Sequence, residues 1–260
     1  MENTEIRKIY DNMIAAEKEA AELIIHAGKI LTQEKSCHRD VVTEYDKKVQ
    51  ELVVSRLCRA VPDARFFCEE SDLQDDIHAE HIFVIDPIDG TMNFVKGFDH
   101  SCTSIGYLNN GILTAAAIYD PYKDEMFSAI RGEGAWLNAK PVHTADTPLS
   151  ENVTLFGTSP YFPEKDDETF RLVRLAYDTS LDIRRIGSAA LDLAYVAVGR
   201  AGLFFEANLS FWDYAAGMLI VEEAGGKCSA LDKMPLPVDG RKSSVLAGGR
   251  QAYEDFAKLI

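Results

Sequence analysis

Apolar residues recur every three to four positions near the N-terminus and predict a long amphipathic helix from about Thr4 to Leu31. The polar stretch Thr32–Asp40 that follows predicts a loop. Helical spacing returns over Thr43–Leu57, which predicts a second helix. Two short apolar runs bounded by acidic or turn-forming residues, Ala64–Cys68 and His81–Ile85, then predict strands.

The middle of the chain alternates short apolar runs with strong turn signals. Turns are predicted at Asn109-Asn110-Gly111 and at Asp120-Pro121. Connections this short join antiparallel neighbours, so we predict a meander of three strands: Thr103–Leu108, Ile112–Tyr119 and Glu125–Ile130.

In the C-terminal half, strand and helix patterns alternate. The predicted strands are Val153–Phe156, Ile183–Ile186, Leu203–Glu206 and Ser244–Ala247. The predicted helices lie near Glu164–Tyr177, after Gly187-Ser188 up to Gly199, from about Trp212 to Ala224, and after Ala247. Because the hairpins of the first half exclude a simple parallel sheet, we expect an α+β fold built in layers.

The composition predicts an acidic globular protein with a substantial core. The chain has 260 residues, 47% of them hydrophobic, and its 27 basic and 42 acidic side chains give a formal charge of −15. This charge repels a phosphate backbone and argues against nucleic-acid binding. No apolar run has the roughly 18 residues of a membrane helix, and the polar start Met1–Lys8 is unlike a signal peptide. We therefore expect a cytoplasmic protein without a membrane anchor.

Several common kinds of catalytic and metal site are missing from the sequence. There is no G-x-S-x-G, G-x-x-x-x-G-K-[ST] or H-E-x-x-H motif, and the six histidines are isolated. The cysteines form no C-x-x-C pair, which argues against a disulfide framework or a thiolate zinc site and favours a reducing compartment. These five residues are Cys37, Cys58, Cys68, Cys102 and Cys228. What remains as candidate chemistry is that of carboxylates.

The strongest candidate segment is an apolar strand that ends in two aspartates. Asp86, Asp89 and the Ile88 carbonyl place hard oxygen ligands in one short turn, which suits Mg²⁺ or Mn²⁺ better than a soft metal. Gly90 and Thr91 follow with backbone N–H groups that can bind phosphate at a helix start. The same residues also fit an ordinary Asp-Pro-x-Asp-Gly turn with solvated carboxylates, and the segment alone leaves both interpretations open.

Three further carboxylates lie near the ends of predicted elements, and each has a structural interpretation beside the chemical one. Glu69 follows a strand and is either a site residue or part of a solvated acidic pair. Asp213 opens an apolar helix, where an acidic side chain also favours the positive helix end. Asp46 forms a capping-box pattern with Thr43, so it is either a helix cap or a catalytic group. The local patterns do not decide between these roles.

Two longer segments and four shorter ones stand in a characteristic order along nearly the whole chain. The longer segments are Phe83–Lys96 (FVIDPIDGTMNFVK) and Trp212–Gly226 (WDYAAGMLIVEEAGG). The shorter ones are Asp40–Asp46, Cys68–Ser71, Arg131–Asn138 and Gly187–Ala190. Together they resemble the inositol monophosphatase family of Mg²⁺-dependent, lithium-sensitive phosphatases. The resemblance implies a single catalytic unit over 1–260, divisible into 1–150 and 151–260. It also implies the layered α/β/α/β/α sandwich of sugar phosphatases, with a largely antiparallel sheet in the N-terminal half.

The resemblance also assigns roles by position. It implies that two Mg²⁺ ions, or Mn²⁺ as a substitute, are held by Glu69, Asp86, the Ile88 carbonyl, Asp89 and Asp213, with a third, weaker ion near Glu69. The implied catalytic group is Asp46, Thr91 and Glu69, in which Asp46 and Thr91 orient the attacking water. The implied substrate contacts are Asp89, Gly90, Thr91, Gly187, Ser188, Ala189, Glu206 and Asp213. Lys35 aligns with a mobile basic residue that approaches the site.

The implied reaction is hydrolysis of inositol monophosphate by a water molecule that two metal ions activate. Fructose 1,6-bisphosphate is the chief alternative substrate, alone or beside inositol phosphate, followed by histidinol phosphate and 3′-phosphoadenosine nucleotides. Two other classes stay open: a non-catalytic regulator that binds a partner on the same fold, and a structural Ca²⁺-binding protein. The resemblance further implies a homodimer, for which the apolar meander Thr103–Arg131 offers an interface. From the charge and the lack of a long apolar run, no nucleic-acid or membrane partner is expected.

Overall fold

The computed structural model describes residues 3–35, 41–71, 74–158 and 162–260. The sequence predictions that involve Cys37 and Asp40 lie outside these residues. Seven α-helices form within them: α1 (Asn3–Ile25), α2 (Glu44–Ala60), α3 (Thr91–Lys96), α4 (Asp166–Thr179), α5 (Ala189–Ala197), α6 (Phe211–Glu223) and α7 (Arg250–Ala257). None of these helices is both long enough and apolar enough to cross a lipid bilayer.

The fourteen strands of the described residues form three sheets. A two-stranded ribbon pairs β1 (Thr32–Glu34) with β2 (Val41–Thr43). A seven-stranded sheet, in chain order, contains β3 (Arg65–Cys68), β4 (His81–Asp89), β5 (Cys102–Asn109), β6 (Ile112–Asp120), β7 (Glu125–Ile130), β8 (Gly134–Leu137) and β9 (Lys140–Val142). A five-stranded sheet, ordered β11-β10-β12-β14-β13, contains β10 (Val153–Phe156), β11 (Asp182–Arg184), β12 (Leu203–Leu209), β13 (Lys227–Ser229) and β14 (Ser243–Gly248).

The two larger sheets and six of the helices stack in five layers. Helices α1 and α2 pack on one face of the seven-stranded sheet, and α5 and α6 fill the space between the sheets. Helices α4 and α7 cover the outer face of the five-stranded sheet. In the seven-stranded sheet only β3 and β4 are parallel, while every other neighbouring pair is antiparallel. The predicted α/β/α/β/α sandwich with a largely antiparallel N-terminal sheet is confirmed.

Alternation along the strands accounts for this layering. In β12, Leu203 and Phe205 belong to the core beneath α4 and α7, whereas Phe204 belongs to the core around α5 and α6. Successive side chains of a strand point to opposite faces, so a strand that is apolar at every position must be covered on both sides. The predicted elements of the C-terminal half are all present, and their ends differ from the prediction by only a few residues.

The first helix is shorter than its periodicity predicts. It ends at Ile25 rather than near Leu31. Gly28 disfavours helix, and its backbone N–H instead donates to the hydroxyl of Tyr45 at 2.7 Å. The N–H of Leu31 donates to Glu44 Oε2 at 2.9 Å. Tyr45 and Glu44, at the start of α2, therefore bind the N–H groups of Gly28 and Leu31, and the helix ends before its apolar periodicity does.

The predicted loop at Thr32–Asp40 is wrong in its first part. Thr32–Glu34 pairs in antiparallel register with Val41–Thr43. All three residues of Thr32–Glu34 are exposed, so the strand has no apolar alternation by which the sequence could reveal it. The same absence of a clear pattern explains why β8, β9 and β13, of three or four residues each, were not predicted.

Strand β4 runs four residues beyond its predicted end and carries the strongest candidate segment with it. Asp86 pairs with Ser104 and Asp89 pairs with Cys102, with an irregularity in register between them. Pro87 lies inside this irregularity, where its missing N–H removes a donor from the ladder. The two aspartates therefore lie within the irregular end of a paired strand rather than in a turn beyond it.

The meander Thr103–Arg131 packs most of its apolar side chains into the core. Its three strands are confirmed, but they lie inside the seven-stranded sheet and are buried along almost their whole length. Helix α1 covers one face of β6, and helix α6 covers the other. The apolar side chains that suggested an interface lie in the core of the protein itself.

Candidate active site

A cavity of about 330 Å³ lies where the end of β4 meets the first turns of α5 and α6. Its wall contains most of the predicted site residues: Glu69, Asp86, Ile88, Asp89, Gly90, Thr91, Gly187, Ser188, Ala189, Glu206 and Asp213. Asp46 lies behind the wall, with its Oδ1 3.3 Å from the hydroxyl oxygen of Thr91. Lys35 does not belong to the wall, but its Nζ donates to the wall residue Glu69. The fold thus brings together residues that are scattered over the sequence.

Local geometry at the end of β4 explains the glycine of the strongest segment. Gly90 adopts a φ of +86°, in the left-handed region that glycine favours. A Cβ at this position would lie 3.0 Å from the carbonyl oxygen of His100 and 3.2 Å from that of Gly187. Helix α3 then begins at Thr91, whose hydroxyl donates to the Ile88 carbonyl at 3.0 Å. Only glycine fits between these two backbone segments without strain.

Asp89 joins β4 to the start of α5. Its Oδ2 accepts hydrogen bonds from the Ser188 hydroxyl and, at 2.7 Å, from the Ala190 N–H. Burial raises the pKa of Asp89 to about 6, although the hydrogen bonds from Ser188 and Ala190 act in the opposite direction. One carboxylate oxygen is therefore held by the protein scaffold.

Asp46 and Asp213 each accept hydrogen bonds in the capping box of a helix. Asp213 Oδ2 accepts from the Ser210 N–H at 2.7 Å. Asp46 Oδ2 accepts from the N–H and the hydroxyl of Thr43, at 2.7 and 2.5 Å, in a complete capping box. In Asp46 the other oxygen, Oδ1, faces Thr91. The capping interpretation is confirmed for both residues. Asp213 also lines the cavity, whereas Asp46 contacts the wall residue Thr91.

The cavity concentrates negative charge in a buried place. Asp86 is 2% exposed, and its Oδ1 has no hydrogen-bond partner among the described residues. Burial raises the pKa of Asp86 well above its usual value, and the neighbouring Glu69, Asp89 and Asp213 raise it further. The pKa of Asp46 rises to about 6, chiefly because of burial. These carboxylates need a positive partner to remain ionised together at neutral pH.

The donor set of this cavity fits a hard divalent cation. Carboxylate and carbonyl oxygens are the ligands that Mg²⁺ prefers, and the unpartnered Oδ1 of Asp86 offers one of them directly. In the part of the chain that the structure describes, no three His, Cys, Asp or Glu side chains already form a coordination sphere. Binding of a cation would therefore have to draw the carboxylates toward a common point.

Lys35 supplies a cation at the edge of this acidic cluster. Its Nζ donates to Glu69 Oε1 at 3.0 Å and to Glu70 Oε1. Burial lowers the pKa of Lys35, but the charges and hydrogen bonds of the two glutamates outweigh burial and raise it above its usual value. Burial and the charge of Glu69 raise the pKa of Glu70 to about 7, despite this contact. The predicted basic residue therefore does lie against a predicted metal ligand.

The side of the cavity that faces α5 contains residues that the sequence analysis missed. Gly157 lies beneath Glu206, because a Cβ on Gly157 would fall 1.8 Å from Glu206 Oε2. The amide of Asn93 donates to the carbonyl oxygens of His100 and Ile186, at 2.8 and 2.9 Å. Asn93 thereby fixes α3 against the loop before α5. Its place inside the matching segment Phe83–Lys96 was the signal available in the sequence.

Asp192 and Arg185 are the two charged residues of the wall that were not predicted. Asp192 is 1% exposed and its Oδ1 has no partner among the described residues. Burial raises the pKa of Asp192 well above its usual value, with further contributions from Asp89 and Glu206. An acidic residue within the apolar run of α5, AALDLAYVA, was the signal that could have identified it.

Comparison with known proteins gives matches over most of the chain. The model of the inositol monophosphatase family matches residues 5–260. A Nus factor SuhB from Xylella fastidiosa is 40% identical over 218 residues, which is 82% of this chain and 78% of the relative. An inositol-1-monophosphatase from Synechocystis sp. is 34% identical over 243 residues, or 92% of this chain and 84% of the relative.

The fold comparison agrees with the sequence comparison. The crystal structure of the extragenic suppressor protein suhB from Bartonella henselae superposes with a TM-score of 0.89 at 31% identity, and the match covers 95% of this chain and 96% of the other. The matched segments include the elements that build the acidic cavity, β4, α5 and α6. On sequence and fold together, this chain belongs to the inositol monophosphatase family.

Proposed function

We propose that this protein is a Mg²⁺-dependent phosphomonoesterase that hydrolyses inositol monophosphate by direct attack of water. The observation that carries the proposal is the buried carboxylate cluster around Asp86, whose Oδ1 lacks a protein partner among the described residues. Burying so much like charge is unfavourable unless cations compensate it. A relative from Synechocystis sp. that is named inositol-1-monophosphatase supports the choice of substrate.

The wall residues divide into two ligand sets in this proposal. Glu69, Asp86 and the Ile88 carbonyl would hold one Mg²⁺, while Asp86, Asp89 and Asp213 would hold a second, with a third and weaker ion near Glu69. When bound, Mg²⁺ offsets the carboxylate charge, polarises the phosphate and makes water a better nucleophile at neutral pH. Mn²⁺ has a similar ligand preference and is expected to substitute.

Asp46 and Thr91 are placed to orient the attacking water. The hydroxyl of Thr91 lies between the Ile88 carbonyl, at 3.0 Å, and Asp46 Oδ1, at 3.3 Å. With its proton directed to one of these acceptors, the hydroxyl oxygen can accept a hydrogen bond from a water molecule in the cavity. The capping bonds from Thr43 fix Asp46, so the pair is held before substrate arrives.

The remaining wall residues would bind the two ends of the substrate. The N–H groups of Gly90 and Thr91, at the start of α3, would donate to the phosphate. Gly187, Ser188, Ala189 and Glu206 would contact the alcohol. Glu206 lines the cavity at 8% exposure and would accept from the hydroxyls of the alcohol. Asp89 and Asp213 would contact the substrate through the carboxylate oxygens that would also bind Mg²⁺.

Phosphate release from a substrate panel tests the proposed function. The panel contains myo-inositol 1-phosphate, fructose 1,6-bisphosphate, histidinol phosphate and 3′-phosphoadenosine 5′-phosphate, each with Mg²⁺ and with EDTA. We expect Mg²⁺-dependent turnover that is fastest on the inositol ester. Faster turnover of another ester would keep the reaction class and overturn the substrate, whereas no turnover on any ester would overturn both.

Arg185 favours a second candidate substrate, fructose 1,6-bisphosphate. It is a cation in a wall that is otherwise rich in carboxylates, and it lies beside Gly187 on the alcohol side. A guanidinium at this place suits the second phosphate of a bisphosphate. Arg185→Ala should then reduce kcat/KM for fructose 1,6-bisphosphate while leaving the inositol ester within about twofold, and equal effects on both would remove this candidate.

Relatives named Nus factor SuhB favour a further candidate role, that of a partner-binding regulator. The two roles are compatible, because a partner surface need not involve the cavity. A homodimer in the cytoplasm is part of the main proposal, and size-exclusion chromatography with light scattering tests the dimer. Affinity capture by the metal-ligand variant Asp86→Asn separates the roles, since a regulator would keep its partners while a phosphatase would lose its turnover.

A further inference from the structure

Asp192 is a buried carboxyl group in the cavity wall that the proposed reaction does not use. It lies in the first turns of α5, three residues after Ala189. Its side chain is almost completely inaccessible, yet its Oδ1 receives no hydrogen bond from the described residues. A buried polar atom without a partner is unfavourable for folding, so its retention in a cavity indicates that something else can satisfy it.

The surroundings of Asp192 assign it to the alcohol side of the site. The charged groups that act on it are Asp89, Glu206 and Arg185. Glu206 and Arg185 line the cavity together with the start of α5. Stabilisation of the helix by an acidic residue near its N-terminus does not explain the placement, because a solvated carboxylate serves that purpose equally well.

The hydrogen-bonding properties of a carboxyl group limit which substrate groups can be the partner of Asp192. A hydroxyl group can both donate and accept, so it complements a carboxyl group in either protonation state. A second phosphate or carboxylate on the substrate only accepts when ionised and would face the like charges of Asp89 and Glu206, so the group that could bind it is Arg185 and not Asp192. An apolar leaving group would leave Oδ1 without a partner. A hydroxyl is the substrate group that fits Asp192.

We infer that Asp192 is a specificity-determining residue that hydrogen-bonds a hydroxyl of the leaving alcohol, so that the site favours alcohols that carry a hydroxyl at this position. The inference rests on the proposed phosphatase function and goes beyond the contacts that the family resemblance implies. It predicts that losing Asp192 weakens hydrolysis of esters whose alcohol carries hydroxyls and spares esters whose alcohol carries none.

A pair of substrates tests this role. Myo-inositol 1-phosphate carries ring hydroxyls, and p-nitrophenyl phosphate carries none. For Asp192→Ala we expect kcat/KM on the inositol ester to fall about 10- to 100-fold, the range expected when a buried polar group loses its hydrogen-bond partner. On p-nitrophenyl phosphate we expect a change below about threefold. Asp192→Asn keeps an accepting oxygen and a similar shape, so it should lose less on the inositol ester than Asp192→Ala does.

Controls separate this inference from the function on which it rests. Asp178→Ala removes an exposed carboxylate of α4 that pairs with Arg174, and it should match wild type on both esters. Equal losses on both esters in the Asp192 variants, or no loss on either, would overturn the specificity role while wild-type turnover upholds the phosphatase. An inactive wild type would overturn both. If circular dichroism shows Asp192→Ala unfolded, Asp192→Leu replaces it, because leucine keeps a similar volume and removes both oxygens, and unchanged selectivity between the esters in that variant then overturns the role.

Discussion

Replacing Asp86 by asparagine should change stability and activity in opposite directions. The carboxylate is 2% exposed, its Oδ1 has no partner among the described residues, and Glu69, Asp89 and Asp213 all disfavour its charge. Without a cation, the ionised side chain therefore destabilises the folded state. Asparagine has nearly the same shape, removes the charge and adds an amide that can donate to the neighbouring carboxylates.

The size of the effect follows from the burial of one unpartnered polar group. Such a group costs about 1 to 3 kcal/mol, and each kcal/mol shifts the melting temperature of a protein of this size by about 2 to 4 °C. In EDTA the variant should therefore melt about 2 to 12 °C above wild type. Mg²⁺ at a hundred times its Kd stabilises a protein by about 2.7 kcal/mol. Mg²⁺ should stabilise wild type by this amount and the variant by much less. In Mg²⁺ the two proteins should therefore melt at similar temperatures, or wild type should melt higher.

Differential scanning calorimetry in EDTA and in Mg²⁺, combined with kcat on inositol 1-phosphate, measures both effects. We expect kcat to fall by more than about 10³-fold, the scale of losing a main electrostatic element. Asp120→Asn is the matched control, because Asp120 is equally buried but accepts from the N–H groups of Tyr122 and Lys123 and from Lys123 Nζ. It should lower the melting temperature in both buffers. An Asp86→Asn protein that melts below wild type in EDTA, or keeps kcat within about tenfold, would refute this reasoning.

Three further outcomes are expected. Ser188→Ala removes the donor to Asp89 and the N-cap of α5, so the free energy of unfolding in urea should fall by about 2 to 4 kcal/mol, and a loss below about 0.5 kcal/mol would contradict this. Glu206→Gln should change KM and substrate preference, whereas an equal collapse of kcat on every ester would place Glu206 among the catalytic residues. In EDTA, the pKa of Asp46 is raised from 3.8 to about 6, so the folded state keeps a proton that the unfolded chain releases. The free energy of unfolding should therefore fall by about 3 kcal/mol as pH rises from about 4 through about 6, and Asp46→Asn should flatten this slope; a rise with pH in wild type would contradict it.

The parts of the fold and site that were predictable depend on short-range patterns. The apolar run before Asp86 predicts a strand, and the Asp-Pro-Ile-Asp-Gly sequence places two carboxylates and a left-handed glycine at its end. The meander follows from its turn residues, and the capping box of Asp46 follows from spacing alone. Each of these features needs only the residues beside it, so sequence reasoning reaches them.

Features that arise from long-range contacts were not predictable in this way. Helix α1 stops early because the N–H of Gly28 finds the hydroxyl of Tyr45, which no periodicity records. Asn93 acts on carbonyls of a distant loop, and Asp192 becomes a wall residue only because α5 lies against the end of β4. Local patterns also left Asp213 open between a cap and a site residue, while in the structure it accepts a capping hydrogen bond and also lines the cavity.

Phosphate release from myo-inositol 1-phosphate under four metal conditions tests the cation-dependent chemistry most directly. The reaction is followed in EDTA, in Mg²⁺, in Mg²⁺ with Li⁺, and in Ca²⁺. We predict turnover in Mg²⁺, its loss in EDTA, weakening by Li⁺, and little hydrolysis in Ca²⁺. Equal rates in EDTA and Mg²⁺ would contradict the role of the buried carboxylates as metal ligands, and no turnover in any condition would contradict the phosphatase function itself.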